Sequence, residues 1–272
     1  MKTDWKSANP PITYCLILLL VFLPALFLTR TEIIEPPIEI PIEIAPEPVI
    51  MPDFGSILDV DLKKQEFFDF VEPYIDEVNA QIMQQRNRIQ EIRDRVVAGE
   101  AVSASDLRYL STMAEQYEME ADDFTSMEFL NVLLRRVDKI PASLALAQAA
   151  NESAWGTSRF AQDGNNFFGQ WCYSDGCGIV PNRRRQGAIH EVKSFDSVRE
   201  SVQAYIHNLN TFPSYQMLRR IRQQLRQQNR PLDGVSLSDG LESYSSRGLD
   251  YIEEVQNMIY SNNLLARDNH AL

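Results

Sequence analysis

The chain has 272 residues, with 26 Lys and Arg against 38 Asp and Glu and a formal net charge of −12. A chain this acidic is a poor candidate for a general nucleic-acid binder, because binding to phosphate backbones depends on Lys and Arg. The hydrophobic fraction of 44% is sufficient for a folded core, which excludes disorder along the whole chain. The charge is uneven: residues 53–135 carry 18 acids and 8 bases, whereas residues 136–230 carry 7 acids and 13 bases. An anionic partner therefore fits the second stretch better than a cationic one, with a solvated basic surface as the alternative.

Residues 10–29 form a run without a charged side chain. At about 1.5 Å per residue, a helix of this length can just cross a hydrocarbon core of about 30 Å. Lys2 and Lys6 precede the run, so the positive-inside tendency places residues 1–9 in the cytoplasm. A cleavable signal peptide is the alternative, but the small residues of a cleavage site do not follow the run. We expect an uncleaved single-pass anchor in the lipid bilayer of the inner (cytoplasmic) membrane, with the C-terminal part in the periplasm.

Residues 30–52 are rich in proline, glutamate and isoleucine. Prolines cannot donate the hydrogen bonds of a sheet, and the glutamates repel one another. This composition favours an extended spacer, partly in the polyproline II conformation. At about 3.1 Å per residue, it can hold the folded part roughly 60 Å from the bilayer.

Residues 53–135 are an acidic region whose apolar residues recur at helical spacing. The pattern predicts a first helix from Asp59 to Arg95, with Gly99 breaking the periodicity. Ser105 is predicted to cap a second helix. No residue pattern in this region indicates catalysis, so we expect it to pack on the catalytic part, residues 136–265.

A short helix is predicted over Phe129–Ile140, and Pro141 suits the first turn of the next helix, which is expected to run to about Trp155 and stop at Gly156. On that helix, Gln148 and Glu152 are four residues apart and share one face. The helix is otherwise rich in alanine and can pack closely, so an acid on it is unusual.

Glu152 has the features of a general acid. It lies in the predicted last turn, where the helix dipole presents negative partial charge, and aromatic residues such as Trp155 follow it. Both effects disfavour the carboxylate and raise the pKa, as proton donation near pH 7 requires. A surface pair with Arg159, or a buried acid that accepts backbone hydrogen bonds, is the alternative.

A small loop-and-hairpin lobe is predicted between Gly164 and Ser194, where five glycines and two cysteines fall. The strand candidates are Ile179–Val180 and Ala188–Val192. If this part is exported, Cys172 and Cys177 are expected to form a local disulfide. Half a zinc site is the alternative, but a second close pair of ligands is missing, so we predict no metal and no cofactor.

Three further helices follow from the apolar stripes around Tyr205, Leu218 and Val255. Seven arginines lie in the lobe and on the second of these helices: Arg183, Arg184, Arg185, Arg219, Arg220, Arg222 and Arg226. Their side chains either bind carboxylates bidentately or form a solvated basic surface.

Two stretches resemble glycoside hydrolase family 73, the glucosaminidases, and within it the Bax-type bacterial proteins. The first is LAQAANESAWGTSRF at 146–160, followed by NNFFG at 165–169; the second is YSSRGLDY at 244–251. The resemblance covers about residues 140–260. It implies an α+β, mostly helical, lysozyme-like fold, with peptidoglycan glycan strands as the substrate and the β-1,4 bond after N-acetylglucosamine as the bond cut.

The resemblance also implies roles for individual residues. Glu152 maps to the catalytic Glu at the end of a helix, and Tyr244 to the tyrosine that supports the site. The other predicted substrate contacts lie either in these motifs or on the helix face that carries Glu152: Gln148, Trp155, Asn166, Phe167, Gly169 and Tyr251. Several family members place a second Glu at the start of the hairpin lobe, where this chain has Cys177-Gly178-Ile179-Val180. Glu191, on the return strand, is the nearest substitute and is expected either to be a catalytic partner or to be an exposed strand residue.

The sequence leaves the mechanism open, because glycoside hydrolysis usually needs two carboxylates and only one is matched to the family. Either the 2-acetamido group of the substrate attacks the anomeric carbon, or Glu191 or a tyrosine-bound water assists an inverting attack. Two other functions compete with a hydrolase. A lytic transglycosylase also uses one Glu but usually has a different loop after it, and a wall-binding scaffold would bind without cleavage.

Overall fold

The computed structural model describes residues 51–182, 184–185 and 187–269. The predicted cytoplasmic tail, the predicted anchor and nearly all of the linker lie outside the described residues. Within the described residues, no helix combines the length and apolar character that a membrane crossing needs.

The described part of the chain is mostly helical with one small sheet, which confirms the expected α+β class. The α-helices are α1 (Val60–Val97), α2 (Ala104–Gln116), α3 (Met127–Arg136), α4 (Ala142–Ser153), α5 (Arg159–Gly164), α6 (Val198–Thr211), α7 (Gln216–Gln227), α8 (Gly234–Ser238) and α9 (Leu249–Ser261). Short 3-10 helices cover Phe54–Ser56, Pro213–Tyr215 and Leu264–Asn269. The strands are β1 (Trp171–Cys172), β2 (Gly178–Ile179) and β3 (Glu191–Lys193).

Helix α1 is 38 residues long and forms the edge against which much of the fold packs. The Asp59 carboxylate caps it by accepting from the backbone N–H groups of Asp61 and Leu62. One face of α1 is buried, and its residues recur at helical spacing: Phe67, Val71, Ile75, Val78, Ile82, Ile89 and Ile92. That face packs against α3, α4 and α6, so the acidic region and the residues after 135 share one hydrophobic core.

The N-cap of α2 lies two residues before the predicted one. Ser103, not Ser105, is the N-cap, and its hydroxyl oxygen accepts from the backbone N–H of Asp106 at 3.1 Å. Both serines precede the same apolar stripe, and the backbone of Ser103 has the extended conformation that an N-cap requires.

Helix α4 is the central helix, and every residue from Ala142 to Ala150 is buried. Its alanines let it pack closely against α1, α8, α9 and Leu264–Asn269. It ends at Ser153, earlier than predicted, because Ala154, Trp155 and Gly156 all adopt positive φ. A Cβ on Gly156 would lie 2.5 Å from the ring of Phe54, so only glycine fits this turn.

The lobe is a three-stranded antiparallel sheet in the order β1-β3-β2. Cys172 pairs with Glu191 across β1 and β3, and Ile179 pairs with Val192 across β2 and β3. The prediction of a hairpin missed β1, which has only two residues. A disulfide joins Cys172 and Cys177, as the C-x4-C spacing predicts.

Two of the predicted carboxylate-binding arginines serve the fold instead. Arg219 and Arg222 are 4% and 1% exposed. Arg219 donates to the carbonyls of Leu209 and Phe212, and Arg222 donates to those of Arg135 and Arg136 at the end of α3. A helix end leaves carbonyls without partners, so these guanidinium groups stabilise helix ends rather than face a substrate.

Candidate active site

Glu152 lies in the last turn of α4, as predicted, and its side chain is half-buried. Burial raises the pKa of the Glu152 carboxyl, and the charge of Glu254 adds to this effect. A hydrogen bond from Tyr251 and the positive charge of Arg247 oppose it without cancelling it. The carboxyl therefore keeps its proton to a higher pH than an exposed glutamate, which suits a general acid.

A chain of buried hydrogen bonds leads to Glu152. The Tyr205 hydroxyl donates to Gln148 Oε1 at 2.7 Å, and Gln148 Nε2 donates to the Tyr251 hydroxyl at 2.9 Å. Tyr251 in turn donates to Glu152 Oε1 at 2.9 Å. Because Tyr251 is the donor in this bond, Oε1 is an acceptor, and the proton of the neutral carboxyl belongs on Oε2.

Oε2 faces the turn before the small sheet. A Cβ on Gly169 would lie 3.4 Å from Glu152 Oε2, and Gly169 has a φ of +66°. Glycine therefore both adopts the backbone conformation and leaves room beside the oxygen. The turn is held by Asn166, whose amide donates to the carbonyls of Gln170 and Lys193 at 2.9 and 2.8 Å.

Tyr244 and Tyr251 stack with ring centroids 5.3 Å apart and an interplanar angle of 9°. The Tyr244 hydroxyl donates to the carbonyl of Phe168 at 3.1 Å, and its side chain is half-buried. Burial raises the pKa of Tyr244 well above its usual value of 10, with Tyr251 and Glu152 contributing. The phenol is neutral, and its oxygen still has lone pairs that can accept a hydrogen bond.

Four of the predicted substrate contacts are buried: Gln148 and Tyr251 completely, with Phe167 at 0% and Asn166 at 1% exposure. The structure gives them positioning roles, and a direct contact with substrate stays a prediction. Gln148 and Tyr251 orient Glu152, and Asn166 holds the turn. Phe167 fills the core beside Phe67, with ring centroids 6.0 Å apart.

Trp155 lies on the side of the site that faces α1. Its ring contacts Phe67 and Phe68 at centroid distances of 5.7 and 5.3 Å, and it stays half-buried. Besides Arg247 and Glu254, Tyr205 and Tyr215 also interact electrostatically with Glu152, since its charge adds to burial in raising the pKa values of these two tyrosines. Tyr205 lay on a regular apolar stripe, so the sequence indicated a core residue only.

Glu191 is 4% exposed and has a local structural role. Its two carboxylate oxygens accept from the backbone N–H groups of Gly176 and Gly178 at 3.2 and 2.8 Å. It therefore fixes the loop that the disulfide closes. Its ligand atoms and those of Cys172 and Cys177 lie within 4.8 Å of one another, but sulfurs joined in a disulfide are not metal ligands. A catalytic contribution from Glu191 stays a prediction.

Sequence reasoning missed an ion pair beside the acid. Arg247 Nη1 lies 2.5 Å from Glu254 Oε2, and the Arg247 guanidinium lies 5.4 Å from the ring centre of Tyr251. These two charges act on the Glu152 pKa in opposite directions. Arg247 is part of the tyrosine motif at 244–251, but the sequence does not show that its side chain pairs with Glu254 on α9.

Trp171 was also missed. Its ring is 56% exposed and stacks on His190 with centroids 4.3 Å apart. It follows Gly169 by two residues, so its Cα lies within roughly 7.6 Å of the Cα of Gly169. An exposed aromatic ring that is supported in this way offers a flat apolar surface to a ligand.

The chain matches known proteins over most of its described part. The family described as mannosyl-glycoprotein endo-beta-N-acetylglucosaminidase, the glucosaminidases, matches residues 132–264. Protein bax of Escherichia coli (strain K12) is 35% identical over 201 residues, which is 74% of this chain and 70% of that protein. No solved structure matches the chain.

Proposed function

Because this chain belongs to the glucosaminidases and is of the Bax type, we propose that it is a peptidoglycan hydrolase, an endo-β-N-acetylglucosaminidase with Glu152 as general acid. Family membership supports a glycosidase role on a glycan. The observation that carries the proposal is the Glu152 carboxyl itself. One of its oxygens accepts from Tyr251, and the other faces the turn at Gly169.

In the proposed first step, Glu152 Oε2 gives its proton to the glycosidic oxygen, and the bond from the anomeric carbon to that oxygen breaks. Tyr251 keeps donating to Oε1 throughout. A hydrogen bond to a charged carboxylate is stronger than one to a neutral carboxyl, so this bond strengthens as the proton leaves. The Tyr205–Gln148–Tyr251 chain therefore favours the transition state over the ground state.

For the charge that develops on the anomeric carbon, we favour the acetamido route. The carbonyl oxygen of the 2-acetamido group forms a bond to the anomeric carbon, and water later opens the resulting ring while returning its proton to Glu152. Both oxygens of Glu191 already accept backbone hydrogen bonds in the disulfide loop, which argues for a structural role. The Tyr244 hydroxyl donates a hydrogen bond to the carbonyl of Phe168, so the lone pairs of its oxygen can accept from the acetamido N–H.

We further propose that residues 10–29 anchor the protein in the bilayer and that the catalytic part works in the periplasm. The uncharged run and the preceding lysines support the anchor. Full-length protein is expected to stay in the membrane fraction after high-salt and alkaline washes. A soluble protein whose N-terminus lies near Thr31 would contradict the anchor.

The products of wall digestion test the function. Purified peptidoglycan incubated with the full chain is expected to gain reducing ends on N-acetylglucosamine, read by mass spectrometry after borohydride reduction. Anhydro ends without new reducing ends would show a lytic transglycosylase. Wall binding without any new ends would show a scaffold. Either result would overturn the proposed hydrolase.

A further inference from the structure

A cavity of about 250 Å³ lies among α1, α3 and α7. It is remote from the candidate active site: Arg86, which lines it, follows Phe68 by 18 residues, or roughly 27 Å of helix, and Phe68 contacts Trp155. Six charged residues line it: Arg86, Arg93, Arg135, Asp138, Arg222 and Arg226. Five guanidinium groups thus surround a single carboxylate.

Three of these arginines are accounted for by the fold. Asp138 is buried and forms a bidentate pair with Arg226, at 2.7 and 3.1 Å. Arg86 and Arg222 lie 3.5 and 3.9 Å from the same carboxylate and donate to carbonyls at the end of α3. The single negative charge in the cavity is therefore already shared among three positive ones.

Arg93 and Arg135 have no such partner. Within the residues that the structure describes, neither guanidinium makes a hydrogen bond or an ion pair, and the Nε atom of each is buried. A buried donor without an acceptor costs free energy, which an incoming acceptor recovers. Arg93 lines the cavity from α1, and Arg135 lines it from α3.

The electrostatics of the cavity favour an anion. Burial lowers the pKa of Arg222 to about 10, with the charges of Arg86, Arg219 and Arg226 adding to the effect and Asp138 opposing it. The Arg86 pKa is lowered by burial too, with Arg226 and Arg93 contributing. These guanidinium groups repel one another, and the lining carries four more positive than negative charges.

We propose that this cavity binds a phosphate-type oxyanion with at least two negative charges, either free or as a terminal phosphoryl group of a larger molecule. Guanidinium forks bind such oxygens bidentately. A carboxylate presents its two oxygens in one plane, whereas the tetrahedral oxyanion meets donors from three helices at once. The bound anion joins Arg93, Arg135 and the Nη1 group of Arg226, which the pair with Asp138 does not use, and ties α1 to α3 and α7.

The test is isothermal titration of the full chain with inorganic phosphate and, separately, with glycerol 3-phosphate. We expect saturable binding of one anion per chain, weakened at least about tenfold in Arg93→Gln and in Arg135→Gln. Arg108→Gln, an exposed arginine on α2, is the matched control and is expected to bind like the wild type. Tighter binding of phosphate indicates a free anion, and tighter binding of the ester indicates a phosphoryl group on a larger molecule.

Stability provides a second readout that does not depend on the variants folding. Phosphate is expected to raise the melting temperature of the wild-type chain more than sodium chloride of equal ionic strength. Wall cleavage is expected to continue in both variants, because the cavity is far from Glu152. The proposal is overturned if neither anion binds, if all three variants lose affinity equally, or if phosphate and chloride stabilise the chain equally.

Discussion

Replacing Tyr251 with phenylalanine tests whether the buried hydrogen-bond chain sets the proton affinity of Glu152. The variant keeps the ring and removes two hydrogen bonds of 2.9 Å, one to Glu152 Oε1 and one from Gln148 Nε2. A hydrogen bond to a charged group is worth about 1.5–3 kcal/mol, and water partly replaces it at the half-buried Glu152. Since this hydrogen bond lowers the Glu152 pKa, we expect the pKa to rise when the bond is removed.

A general acid is active in its protonated form, so activity falls as the pH rises through its pKa. The basic limb of the profile of kcat/KM against pH is therefore expected to move to higher pH in Tyr251→Phe, with a lower maximum. Reducing-end release from peptidoglycan provides the assay. Tyr260→Phe, on the same helix and 60% exposed, is the control and should leave the profile unchanged.

The same variant should destabilise the fold. Gln148 is fully buried, so no water reaches the Nε2 that loses its acceptor, at a cost of about 1–3 kcal/mol in the free energy of unfolding. Denaturant titration measures this loss. A basic limb that stays in place or moves to lower pH would show that Tyr251 does not lower the Glu152 pKa, whatever the change in stability.

Other predictions concern the acid, the loop and the exposed ring. Burial raises the pKa of Glu152 in the folded chain above its value in the unfolded chain. The carboxyl therefore contributes stability below the unfolded-state pKa, and this contribution is lost as the pH rises through the folded-state pKa. Glu152→Gln should therefore melt above the wild type at pH 7, with the difference shrinking toward pH 4. Glu191→Gln should keep most wall cleavage but loosen the lobe, seen as faster hydrogen exchange around Gly176 and Gly178; a loss of activity as deep as that of Glu152→Gln would show two cooperating carboxylates. Trp171→Ala should raise KM with little change in kcat, and an unchanged KM would remove the ring from the binding surface.

Much of the fold follows from periodicity. The long stripe of α1 and the stripe around Val255 in α9 predict both helices, because each buries one regular face. The sequence does not predict β1, because a strand of two residues is too short to show an alternating pattern of apolar and polar residues. The end of α4 was placed too late, because nothing local signals that Ala154 and Trp155 take positive φ before Gly156.

The site was predictable only in part. Glu152 stands out because an acid on an alanine-rich helix is unusual, and the motif resemblance adds to this signal. The hydrogen-bond chain to Tyr205 was not predictable, since it joins residues 57 and 103 positions apart in the sequence. The arginines of α7 were ambiguous because composition does not show which face of a helix is buried, and the structure buries Arg219 and Arg222.

The role of Glu152 as general acid is tested most directly by comparing Glu152→Gln with Glu242→Gln, which changes an exposed glutamate two residues before Tyr244. The amide keeps the shape of the side chain and removes the transferable proton. General acid catalysis is commonly worth about 10²–10⁴ in rate, so the release of reducing ends should fall at least that far in Glu152→Gln and stay normal in Glu242→Gln. Binding to sedimented peptidoglycan should survive in both variants. Near-normal cleavage by a folded Glu152→Gln protein would contradict the account.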